Sequence, residues 1–210
     1  MRKLLYVTGV AILFAGSTRA GAQTIELGAS VGWYQPLSGL SSGDVLSTDL
    51  PQRARELRGV AWGGEVRLPL RGAMSLEGVV ATAASTTPGC LCPGGPLPPT
   101  GQRVNLVSVD GLYTIAIRGS NELSVGLGPA MIEHTGEGYG RYGSPKSWGG
   151  AGSVELAHSL TSHFEVAARA LGAAYSFHLD FPPQSGRQLD LFVSISGRWR
   201  FGAVNSRADK

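Results

Sequence analysis

The feature that most limits this chain is a segment whose character switches at every residue. In 189–201, LDLFVSISGRWRF, Leu189, Leu191, Val193, Ile195, Trp199 and Phe201 are apolar, with Gly197 among them. The intervening positions are Asp190, Phe192, Ser194, Ser196, Arg198 and Arg200, polar but for Phe192. Successive side chains of a strand point to opposite faces, so this strand has one apolar and one polar face. Residues 25–34 repeat the pattern, with Ile25, Leu27, Ala29, Val31 and Trp33 set against Glu26, Gly28, Ser30 and Gly32. Residues 60–70 set Val60, Trp62, Val66, Leu68 and Leu70 against Ala61, Gly63, Glu65 and Arg67. Weaker versions fall at 73–83, 103–117, 121–132, 148–159 and 163–176, their polar faces marked mainly by Glu77, Asp110, Glu155, Glu165 and Arg169. The pattern predicts eight strands.

The connections between these strands alternate in length. Arg71-Gly72, Gly119-Ser120 and Leu160-Thr161-Ser162 are short, whereas 35–58, 84–102, 133–147 and 177–187 are long. A soluble sandwich has the same solvent at both ends and does not require this. A bacterial outer-membrane barrel does, with short turns on the periplasmic side and long loops outside. An even strand number also leaves both termini on the periplasmic side. The remaining fold alternative is a soluble, secreted sandwich.

The first 22 residues read as an export signal. Arg2-Lys3 is followed by the apolar run Leu4–Ala15 and by the small residues Ala20-Gly21-Ala22. The run is roughly half of the ~20 residues that a spanning helix needs. Cleavage is expected to leave Gln23 at the N-terminus, and no Cys follows to accept a lipid. Without Arg2, Lys3 and Arg19 the 18 Lys and Arg fall to 15, equal to the 15 Asp and Glu. The pI near 9.1 therefore gives no reason to expect nucleic acid as a partner. Glycine is abundant, 31 of 210 residues, without a Gly-X-Y period, so collagen is excluded. In strands it suits tight curvature and a crowded interior.

Aromatic residues gather near strand ends. Trp33, Tyr34, Trp62, Trp148, Tyr175 and Phe177 lie toward the long loops; Tyr113, Phe164, Trp199 and Phe201 lie toward the short turns. Bilayer interfaces favour such belts, and Trp33, Trp62, Trp148, Tyr175, Trp199 and Phe201 are read as the aromatic girdle. The fold class is all-β: an eight-stranded antiparallel transmembrane up-and-down β-barrel. It comprises residues 23–201, after a cleaved signal peptide (1–22) and before a short periplasmic tail (202–210).

The units GVAWGGEVRLPLRGAMSLEGVV and WGGAGSVELAHSLTSHFEVAARALGAAY resemble the Gly-rich hairpins of small outer-membrane β-barrel proteins of the OmpA/OmpX/OmpW type. The strand ending in Trp199-Arg200-Phe201 is similar to that group's terminal assembly signal. It departs from the pattern in one respect: GAVNSRADK follows the Phe, which in the family is often the last residue. The resemblance implies the outer membrane of a Gram-negative-type cell. It also implies lipid and lipopolysaccharide as surroundings, insertion by the β-barrel assembly machinery, a monomer, and no cofactor.

Eight strands enclose a lumen just wide enough for side chains to fill it. The inward positions carry Glu26, Glu65, Arg67, Glu77, Asp110, Glu155, Glu165, Arg169, Arg198 and Arg200. Acids and arginines confined there should pair, because an unpaired buried charge is costly. The expected role is therefore structural or adhesive, through the loops. A narrow, porin-like channel for small or apolar solutes is the rival reading. A third is a lipid A-modifying enzyme, since barrels resembling this one in size use Ser, His and an acid near the outer rim. Ser176, His178 and Asp180 share one face of strand 7, but residues two apart along a strand seldom reach triad geometry, and no enzyme is expected. His134 has no evident partner in the sequence, and His158 and His163 fall at the periplasmic end. Cys90 and Cys92, exported to an oxidising compartment, are expected to form a disulfide, local or intermolecular. With no His or further Cys nearby, no metal site is expected.

Overall fold

In the computed structural model, residues 24–37, 58–87, 91–92, 95–96, 100–136, 146–180 and 183–202 are described. The export segment 1–22, Cys90 and residues 203–210 lie outside the described residues, as does the side chain of Cys92. Eight strands close into one ring: β1 (Ile25–Pro36), β2 (Gly59–Pro69), β3 (Met74–Thr87), β4 (Thr100–Arg118), β5 (Asn121–Gly136), β6 (Lys146–Ser159), β7 (Phe164–Asp180) and β8 (Pro183–Phe201). Each strand pairs antiparallel with its neighbour in sequence. β8 returns to β1, from Ile25↔Phe201 to Pro36↔Asp190. Closure abolishes sheet edges, which in hydrocarbon would leave N–H and C=O groups without partners.

Turn chemistry explains the tight ends. Gly72 (φ 66°) and Gly119 (φ 58°) occupy the left-handed region that favours glycine, between β2 and β3 and between β4 and β5. At the other end the strands run further than the sequence suggested. β7 and β8 pair out to Asp180↔Pro183, so residues 181–182 alone join them, where a loop over 177–187 was expected. Pro183 ends the ladder, a position that tolerates a missing N–H. β3 and β4 likewise pair out to Thr87↔Thr100, and Leu91–Cys92 forms a two-residue ladder with Gly95–Pro96 in the remaining connection. Inside the ring, the pairing of β4 with β5 passes from Ser108↔Ala130 to Gly111↔Leu127. The skipped stretch contains Pro129, which has no N–H to give.

The two faces of the wall differ as a membrane barrel requires. Ile195 is 61% exposed and its neighbour Ser196 4%. Val31, Trp62, Leu127, Trp148, Val154 and Ile195 stand on the outside, while the buried set includes Glu65, Arg67, Glu77, Asp110, Glu155, Arg169 and Arg198. An apolar exterior around a charged interior is the inverse of a soluble protein, so the sandwich alternative is set aside.

Aromatic side chains follow strand parity rather than the height of the belts. Trp33, Trp62, Trp148, Trp199 and Phe201 face outward. Tyr175 does not: it is buried in the lumen, and its assignment to the girdle is corrected. It shares parity along β7 with Glu165, Arg169 and Leu171, all buried. Tyr34 and Phe177 are also inside, with Tyr34 against Phe192 (ring centroids 5.1 Å apart). They help fill the lumen toward the loops with an apolar layer that also contains Ala61, Ala83, Val104, Leu106, Ile132 and Leu171.

Candidate functional site

Apart from Asp190, the acids and arginines buried in the lumen come from the parts of the strands near the short turns: the starts of β1, β3 and β7, and the later parts of β2, β4, β6 and β8. Antiparallel pairing brings them to one level. Gly28 makes room there, because a Cβ at that position would lie 2.7 Å from Cγ of both Arg198 and Glu65.

Two carboxylates act as hubs. Glu77 Oε1 accepts from Arg67 Nη2 at 3.0 Å and from Arg169 Nη2 at 2.6 Å. Glu155 accepts from Arg67 Nη2 at 2.5 Å, from Arg169 Nε at 3.0 Å and from Arg198 Nη2 at 2.8 Å. Arg169 Nη1 reaches Glu65 Oε2 at 3.1 Å. Arg198 Nη2 also bonds Glu165 Oε1. Nearer the turns, Arg200 Nε donates to Glu26 Oε1 at 2.7 Å, and its Nη2 to Glu165 Oε2 at 3.4 Å. Asp110 is buried in the same layer but takes no arginine among the described residues; its Oδ2 accepts from Ser108 Oγ at 3.1 Å.

The ring order gives two of these contacts their significance. In a ring of eight, β2 faces β6 and β3 faces β7. Arg67–Glu155 joins the first pair of strands and Glu77–Arg169 the second, so both ion pairs cross the full width of the lumen. Side chains thus fill the barrel at this level, as expected for its strand number.

A second polar group lies near the loops. His134 Nε2 is 2.7 Å from Tyr175 Oη, and Tyr175 Oη donates to Asp190 Oδ2 at 2.8 Å. Gln188 Nε2 donates to Asp190 Oδ1 at 2.6 Å. The tyrosine proton goes to Asp190, so His134 Nε2 must carry the hydrogen of the first contact. Sequence reasoning missed this group because Tyr175 was placed outside; its shared parity with Arg169 was the signal available. His158, exposed at the turn end, contacts Asn121 Oδ1 through Nδ1 at 2.9 Å, and His163 Nδ1 contacts Ser162 Oγ at 2.8 Å.

The candidate hydrolytic set is not brought together by anything described. Ser176 is exposed on the outer face, and the side chains of His178 and Asp180 lie outside the described residues. Among the described residues no group of three or more His, Cys, Asp or Glu is placed to hold a metal.

Neither a protein-family model nor a curated protein matches the sequence. Solved structures do match in fold. The outer membrane protein OprG from Pseudomonas aeruginosa superposes with a TM-score of 0.57 at 13% identity, over 89% of this chain and 99% of that one. Neisserial surface protein A superposes with a TM-score of 0.55 at 12% identity, over 87% of this chain and 100% of that one. A major outer membrane protein from Thermus thermophilus gives 0.54 at 12% identity, over 87% and 100% of the two chains. The chain has the fold of these eight-stranded outer-membrane barrels.

Proposed function

We propose that this chain is an outer-membrane barrel with a closed lumen, and that its role is structural or adhesive, through the segments joining its strands at the loop end. The observation that carries this reading is the pair of ion pairs, Arg67–Glu155 and Glu77–Arg169, that cross the lumen. A solute moving along the axis would have to separate them, and leaving one partner of such a pair buried alone costs about 3–5 kcal/mol. In this reading the apolar outer wall contacts lipid and lipopolysaccharide, the β-barrel assembly machinery inserts the chain after export, and the barrel works as a monomer. It includes no hydrolytic step.

A second reading, a narrow path for small apolar solutes, draws on the loop half of the lumen. There much of the wall is apolar, and a cavity of about 20 Å³ lies between Val79, Leu106, Leu171, Phe192 and Arg169. Such a volume holds about one water. Single-channel recording on the refolded protein in planar bilayers separates the two readings. A barrel closed by its charged layer gives no discrete conductance steps. Reproducible steps from the wild-type protein would overturn the closed-lumen reading in favour of the channel.

A further inference from the structure

The outer wall changes character at its loop end. Lower down it is apolar, with Leu127, Val154, Val193 and Ile195 in the open. Above them, each strand that descends from the loops brings one exposed cation to the outer face: Arg58 just ahead of β2, Arg103 on β4, Lys146 on β6 and Arg187 on β8. Glu133 is the one acid on this part of the face among the described residues, so four positive charges meet a single negative one. Its carboxylate is tied into a polar row. Thr82, Asn105, Glu133 and Lys146 stand side by side across β3, β4, β5 and β6. Thr82 Oγ1 donates to Asn105 Oδ1 at 2.8 Å, Asn105 Nδ2 donates to Glu133 Oε2 at 3.4 Å, and Lys146 Nζ lies 3.7 Å from Glu133 Oε1. Arg58, Arg103 and Arg187 form no ion pair with a described residue. Charge on the lipid face is costly at mid-depth and nearly free at the interface, so row and cations mark the headgroup level.

We propose that this band binds the phosphate groups of lipids in the leaflet on the loop side, an inference that rests on the proposed contact of the outer wall with lipid. Three of its four cations are arginines, whose planar fork matches a phosphate with two parallel hydrogen bonds. A lipid fits better than a free anion because apolar wall begins directly beneath the charges. Two residues further along the same face, Trp148 stands below Lys146 and Leu189 below Arg187. A molecule with a phosphate head and acyl chains satisfies both surfaces at once. Glu133 holds Lys146 in the row, and its single charge leaves the band cationic.

The test places the full mature chain in phosphatidylcholine nanodiscs containing a minor share of either phosphatidic acid or diacylglycerol with the same chains. Native mass spectrometry then counts the minor lipid retained on the barrel. Wild type should retain phosphatidic acid in preference to diacylglycerol. Replacing Arg103, Lys146 and Arg187 together by Gln should lower that preference by about tenfold or more, since each cation near a charged surface contributes about fivefold. Arg71→Gln with Arg118→Gln, at the turn end, should leave it largely unchanged. If the triple variant does not refold, Arg103→Gln and Arg187→Gln are measured singly, each with a smaller loss. No preference in the wild type, or equal loss from the two ends, would overturn the proposal. Displacement of the lipid by inorganic phosphate alone would overturn the lipid as ligand. A wild type that enters no nanodisc would overturn the lipid-facing wall itself, whereas one that enters without preference overturns only the band.

Discussion

The two halves of the lumen are held together by different forces. Toward the short turns, Glu65, Arg67, Glu77, Glu155, Arg169 and Arg198 form a buried ionic lattice in which each group depends on partners from several strands. Toward the loops, Tyr34, Val104, Leu106, Ile132, Leu171 and Phe192 pack against one another, below the hydrogen-bonded set of His134, Tyr175 and Asp190. Packing is graded: losing one methyl removes a few contacts. An ionic lattice is closer to all-or-none, because removing one partner leaves the others buried and uncompensated.

The sharpest way to break this contrast is Arg169→Leu. Arg169 touches Glu65, Glu77 and Glu155, so its loss leaves three carboxylates short of a cation. Urea unfolding in detergent should show a loss of about 3–5 kcal/mol. No measurable loss would mean that the ionic half is not what holds the wall.

A smaller effect tests the frame in which either half counts as interior. Ile195 and Ser196 are neighbours at nearly equal depth, one outside and one inside. Ile195→Arg should reduce membrane-assembled protein sharply, since arginine on the lipid face near mid-depth costs roughly 2–4 kcal/mol. Ser196→Arg should be milder, because it points into the charged layer. Equal tolerance of the two would remove lipid from the outer face, and a reversed order would turn the wall inside out.

The smallest effect belongs to the loop half. Tyr175→Phe keeps the ring but removes the hydroxyl that joins His134 to Asp190. One lost hydrogen bond should cost about 1 kcal/mol in the same unfolding assay. A loss as large as that of Arg169→Leu would erase the distinction between the halves.

Much of the ionic half was legible in the sequence, because period-two alternation and charge are read along a single strand: Glu26, Arg67, Glu165 and Arg198 all fall on the polar face of their segments. What could not be read was which acid meets which arginine. Arg67 and Glu155 are 88 residues apart and meet only because closure sets β2 opposite β6. The loop half was less legible for two physical reasons. Many of its inward residues, such as Ala83, Val104 and Tyr175, resemble the lipid-facing ones, so parity there carries less contrast in polarity. Tyr175 was therefore assigned by its height near the belt. The extension of β7 and β8 was hidden by the sequence FPPQSGR, whose Pro and Gly read as breakers although the ladder continues through Pro183–Arg187.

The contacts that span the lumen have a mechanical consequence. A thin-walled tube yields most easily by flattening to an ellipse, a motion that stretches one diameter and shortens another. Arg67–Glu155 and Glu77–Arg169 lie along neighbouring diameters, as spokes do in a wheel, and flattening must lengthen or compress at least one of them. The turn end is therefore the rigid hub of the cylinder. The loop end, where soft aliphatic contacts replace the spokes, is the compliant rim, so a shape change imposed on the rim by its surroundings would fade before it reached the hub.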